Sequence, residues 1–109
     1  MNLQELNDKT LEWSEQRGIT TNGKATTQFI KLIEEVGELA TNLNKGLDCR
    51  DDIGDCLVVL TNMAALLGTS LEECWNIAYN DIKDRQGYLT AEGNFIKQTK
   101  MEFEDGEAK

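Results

Sequence analysis

Two short acidic pairs carry the chemistry this chain can offer: Glu35 and Glu38 in EEVGEL, and Asp52 and Asp55 in DDIGDC. Each pair is spaced three residues apart, which on a helix puts both side chains on one face within reach of a common point. Four carboxylates gathered in one place repel one another unless a cation lies between them. Ligands that are all oxygen are hard donors suited to Mg²⁺ or Mn²⁺ rather than zinc or copper, and a Mg²⁺ site keeps positions open for water and substrate phosphate. The chemistry indicated is metal-assisted work on a phosphate. A plainer reading stands beside it. Acids in a first helical turn complement the helix dipole and cap free N–H groups, and others simply solvate a helical face.

The elements that must position these acids are helices. Leu3, Leu6, Thr10 and Trp13 keep helical spacing and predict a first helix over about 2 to 17, closed by Gly18 before the polar loop ITTNGKA. A second and longest helix is predicted over about 25 to 45, with Phe29, Leu32, Ile33, Val36, Leu39, Ala40 and Leu43 on one stripe and Gly46 just past its end. A third runs from about 50 to 67 through Ile53, Cys56, Leu57, Val59, Leu60, Met63, Ala64 and Leu67 and stops at Gly68. Ser70 with Glu73 has the capping-box pattern, and Leu71, Trp75, Ala78 and Ile82 continue a fourth helix toward Gly87. At roughly 100° per residue, the stripe of the second helix centres near Val36 and Leu43, with Glu35 at its edge, Glu38 one step further round and Glu34 facing away. In the third, Asp52 lies almost within the stripe and Asp51 points outward.

The chain has 109 residues, no proline and few aromatic residues, so the fold class expected is all-α: one domain over 1–109, with a helical core over about 2–86. The segment from about 87 to 109 is expected to hold a short β-hairpin and a disordered end. So short a chain, with wide apolar stripes on its helices, has few elements left to cover them, and pairing bundles would bury the surplus. The net charge of −9 excludes extended nucleic-acid binding, although a single nucleotide can still be brought to carboxylates by divalent cations. With no histidine there is no Ser-His-Asp or Cys-His arrangement and no His-containing zinc site. Cys49, Cys56 and Cys74 are odd in number and lack CxxC spacing, which reads as reduced, packed thiols. The start has no signal-peptide pattern, and the longest apolar run, CLVVLTNMAALLG, is short of the roughly 20 residues that cross a bilayer. A cytoplasmic protein without a membrane partner is expected.

EEVGEL followed by DDIGDCLVVL resembles the MazG-like all-α nucleoside triphosphate pyrophosphohydrolases, whose signature is EExxE, a spacer, then ExxD. AYNDIKDRQG followed by GNFIK is similar to the small single-domain phage and bacterial members, so the resemblance covers most of the chain. It implies a four-helix MazG-like bundle in which Glu35, Glu38, Asp52 and Asp55 bind Mg²⁺, with Mn²⁺ as a substitute. It further implies cleavage of a (d)NTP between its α and β phosphates to a (d)NMP and pyrophosphate, by subunits that assemble as a dimer or a dimer-of-dimers tetramer with substrate sites near their contacts. One departure is Asp52, where the family more often has Glu; aspartate is one methylene shorter.

Four further residues are candidates for substrate binding. Lys83 and Arg85 in IKDRQG, and Lys31 one turn before Glu35, are placed to contact phosphates, against the plain alternative of surface charge or an Asp81–Arg85 ion pair. Trp13 is a candidate for stacking on a base, against a core role. The competing function is a non-catalytic helical dimerisation or regulatory module that retains the acidic cluster.

Overall fold

The computed structural model describes residues 1–98; the expected disordered end lies outside the described residues. The elements run α1 (Leu3–Gln16), α2 (Ile19–Asn22), α3 (Ala25–Asn44), α4 (Arg50–Leu66), α5 (Leu71–Ile82), β1 (Gln86–Leu89) and β2 (Phe95–Gln98). The all-α class and the hairpin are both present, with the hairpin over the expected stretch. One element differs from expectation: ITTN forms the single helical turn α2 inside the predicted loop. Four residues complete barely one turn, too short for a helical period to register in the sequence.

The helix ends follow from local chemistry. Asn2 caps α1 by accepting the Glu5 N–H on its side-chain oxygen at 2.8 Å. The two long inner helices end in the same device. Gly46 and Gly68 adopt φ of 70° and 77°, and the residue after each returns its N–H to a carbonyl of the last turn, Leu47 to Asn42 and Thr69 to Ala64. This doubly bonded turn needs the left-handed region, which glycine enters without steric cost. At the start of α5 the Ser70 hydroxyl accepts the Glu73 N–H at 3.1 Å, as its capping pattern predicts, while the Glu73 carboxylate takes the Thr69 hydroxyl at 2.6 Å.

The chain forms two compact units, one spanning Met1–Cys74 and one beginning at Trp75. Within the first, α4 is the hub: α3, α1 and α2 all pack on it, and α1 also packs on α2. Val59 and Ala64 of α4 are buried there. A buried hydrogen bond of 2.6 Å from the Ser14 hydroxyl to the Asn62 side-chain oxygen ties α1 to α4, and the Thr61 hydroxyl closes onto the Leu57 carbonyl at 2.7 Å. In the second unit, β1 and β2 pair antiparallel with Gln86 opposite Gln98 and Leu89 opposite Phe95, around a turn in which Thr90 and Asn94 exchange hydrogen bonds. Among the described residues no single helix is long and apolar enough to cross a membrane.

The line of α3 that packs on α4 is Leu32, Glu35, Leu39 and Asn42, all buried or half-buried, whereas Phe29, Ile33, Val36 and Leu43 are exposed. The stripe centred on Val36 and Leu43 is therefore not the face α3 turns to α4. Hydrophobic periodicity sums every apolar position on a helix and cannot separate the part covered by one neighbour from the rest.

Candidate metal centre

Glu35 stands in the middle of the packed line of α3, and burial there makes its carboxylate the anchor of the site. It is 8% exposed. One of its oxygens, Oε1, lies 3.2 Å from Lys31 Nζ, one helical turn earlier. The other, Oε2, is buried without a hydrogen-bond partner among the described residues. A buried carboxylate oxygen left unpaired is costly, and such groups occur where a ligand or ion completes them.

Beside Glu35 the fold gathers two more acids. Glu38, one turn further along α3, and Asp55, on α4, each bring an oxygen so that all three ligand atoms lie within 4.8 Å of one another. The three sit in graded exposure: Glu35 buried, Asp55 half-buried, Glu38 exposed. The electrostatic consequence falls on the proton affinities of Glu38 and Asp55. The Glu35 charge, helped by burial, holds the Glu38 carboxyl above its ordinary range, while Lys31 opposes it. Burial first, then the charges of Asp51, Glu35 and Asp52, raise Asp55. Burial first, then the charges of Glu35, Asp55 and Asp52, push the neighbouring Cys56 thiol up as well. A cluster of this kind fits a hard divalent cation: the donors are all oxygen, they converge, and one carboxylate, Glu35, has a buried oxygen with no partner among the described residues.

Asp52 takes a different partner. It is buried in the first turn of α4, and both of its oxygens accept from the Asn42 side-chain nitrogen at 3.1 Å. Its oxygens are not among the three that converge. Glu34 and Asp51, expected to face outward, are exposed, and Glu34 lies 3.7 Å from Lys31. Asn42 escaped the sequence reading. Its position four residues after Glu38 and seven after Glu35 places it on their face of α3, which is the signal that was available.

The remaining candidates have other engagements. Lys31 contacts Glu35 at 3.2 Å and Glu34 at 3.7 Å. Trp13 is half-exposed, with the Arg17 guanidinium stacked over its ring at 4.3 Å and also donating to the Trp13 carbonyl. Lys83 and Arg85 belong to the second unit; Lys83 is exposed and Arg85 bonds Asp81 at 2.8 Å, the ion pair weighed as its plain alternative. Cys49 and Cys56 are half-buried and Cys74 exposed, all three as free thiols.

No protein-family model matches the chain. Over 64 residues, 57% of its length, the chain is 41% identical to an uncharacterized 18.2 kDa protein in the rep-hol intergenic region of Haemophilus phage HP1. That stretch is 39% of the phage protein, so the chain spans well under half of the curated relative it matches. In three dimensions it is similar to a cyanophage S-2L MazG-like pyrophosphohydrolase bound to dGDP and three catalytic Mn²⁺ ions per active site. The TM-score is 0.70 over 91% of this chain and 95% of that one, at 20% sequence identity. The chain therefore has the all-α fold of a MazG-like pyrophosphohydrolase.

Proposed function

We propose that the protein is a divalent-cation-dependent nucleoside triphosphate pyrophosphohydrolase, adding water across the α–β anhydride of a (d)NTP to release a (d)NMP and pyrophosphate. The observation that carries this is the convergence of carboxylate oxygens from Glu35, Glu38 and Asp55, beside a buried Glu35 oxygen with no partner among the described residues, in a chain of this fold. The nucleotide and Mn²⁺ bound by the cyanophage protein support the same substrate class and ion type here. Glu35, Glu38, Asp52 and Asp55 would hold the cation, Mg²⁺ or its substitute Mn²⁺. Once bound, the cation supplies charge neutralisation for the phosphates and Lewis-acid polarisation of the anhydride.

The protein's own share is binding and orientation. Glu35 offers Oε2 from the buried wall, and Lys31 fixes the rotation of that carboxylate by holding Oε1. Glu38 and Asp55 close the site from the exposed side. Lys31 has three N–H donors, so its ammonium can serve Glu35 and a substrate phosphate together. Within the second unit, Arg85 keeps guanidinium N–H groups beyond its bond to Asp81, and it and Lys83 are candidate phosphate contacts there. For Trp13 to stack on a base, Arg17 would move off its ring. A second copy covers the apolar face of α3.

A non-catalytic assembly module is the second reading, favoured by the exposed line Phe29, Ile33, Val36 and Leu43. Incubating the protein with eight common nucleoside triphosphates and Mg²⁺ or Mn²⁺ separates the two. Pyrophosphate release from at least one, abolished by EDTA, is expected; no release from any would leave the assembly module standing.

A further inference from the structure

We propose that Asn42 is the positioning residue for Asp52: its side-chain amide sets the orientation in which that carboxylate faces the cation centre. The inference rests on the cation site proposed above.

The Asn42 nitrogen lies 3.1 Å from each Asp52 oxygen. A carboxylate only accepts, so the amide must present its NH₂ group rather than its oxygen. One nitrogen spanning both oxygens fixes the rotation and tilt of the carboxylate together, which a bond to a single oxygen leaves free. The clamp is itself held. The Asn42 carbonyl receives the Leu47 N–H in the turn that ends α3, so its backbone is tied on the C-terminal side of the site. Asp52 has little freedom of its own: it is 7% exposed and carries a short side chain in the first turn of α4.

Held this way, Asp52 stands apart from the oxygens of Glu35, Glu38 and Asp55. Each of its oxygens keeps a second lone pair for another partner, so the amide bond and coordination are compatible. Carboxylate ligands are commonly held by an outer hydrogen bond of this kind, and losing it costs about 10- to 100-fold in metal affinity. The plain alternative is that the bond only staples α3 to α4 across their connection.

Mn²⁺ binding isotherms decide between them. They are recorded well below each melting temperature for the wild type, Asn42→Ala, Asn42→Ser, Asp52→Asn and the Asn42→Ala/Asp52→Asn double variant. Asn42→Ala should weaken Mn²⁺ binding by about 10- to 100-fold. Asn42→Ser, which keeps one donor, should recover part of the loss. In the Asp52→Asn background, Asn42→Ala should cause no further loss, because the residue it positions is gone. A staple lowers the melting temperature of the metal-free protein and leaves Mn²⁺ affinity alone. Unchanged affinity in Asn42→Ala, or the same loss in both backgrounds, overturns the inference while the cation site survives. A wild type that binds no Mn²⁺ overturns both.

Discussion

Lys31 Nζ lies 3.2 Å from Glu35 Oε1, so the buried acid of the converging three carries a cation of the protein's own on one oxygen and no partner among the described residues on the other. The single turn between them makes this local to α3. The pairing raises the proton affinity of Lys31, so the ammonium stays charged throughout the neutral range. It compensates one oxygen of a buried carboxylate that gathers with those of Glu38 and Asp55.

Neighbouring glutamates should therefore differ sharply. Glu35→Gln removes the buried donor and should lower metal-dependent hydrolysis by more than about 100-fold, beyond what loss of an outer partner costs. Glu34 is exposed and makes only a 3.7 Å contact to Lys31, so Glu34→Gln should stay within about twofold of the wild type, as for other surface pairs. Pyrophosphate release at saturating Mg²⁺ measures both, and equal losses would refute the placement of Glu35.

Without metal, stability should fall as pH rises across the carboxylate range. The Glu38 and Asp55 carboxyls are raised in the fold, the first mainly by the Glu35 charge and the second mainly by burial. A group raised on folding contributes stability that is full below its unfolded pKa and lost as pH climbs through the folded one. In EDTA, the melting temperature of the wild type should drop relative to Asp55→Asn from about pH 4 toward neutrality. Millimolar Mg²⁺ should then raise the wild type and leave Asp55→Asn behind, since a ligand stabilises only the state that binds it. Parallel melting curves for the two proteins in EDTA would contradict the arrangement.

The Ser14–Asn62 bond gives a test of the fold apart from the chemistry. Both residues are buried, and Ser14→Ala would leave the Asn62 oxygen without its 2.6 Å donor. The expected loss is about 1–3 kcal/mol, the cost of an unsatisfied buried group. Urea denaturation monitored by circular dichroism measures it. A change smaller than the error would mean that α1 is not tied to α4 through this pair.

Assembly is predicted from the face of α3 turned away from α4. Phe29, Ile33, Val36 and Leu43 are 52%, 56%, 46% and 66% exposed at helical spacing, a continuous apolar stripe of the kind that marks an interaction surface. Light scattering at micromolar concentration should give at least twice the 12.2 kDa chain mass. Ile33→Glu should shift it toward the monomer. A fully active 12.2 kDa species would rule the assembly out.

What was legible in the sequence is what depends on residues close together in the chain. The four long helices follow from apolar spacing, and the ends of α3 and α4 from Gly46 and Gly68, because backbone hydrogen bonds and steric limits are settled within a turn or two. The pairing of Glu35 with Glu38, and the outward turn of Glu34 and Asp51, follow from the same helical period. Tertiary structure alone decided which line of α3 is covered, and so moved Glu35 from the edge of a stripe to the centre of a packed face. It also decided that Asp55 joins the two glutamates while Asp52 turns to Asn42, and that Ser14 meets Asn62. These choices depend on how one helix is rotated and set against another. That rotation is fixed by side-chain packing between segments distant in the chain, and the period of a single helix carries no information about it.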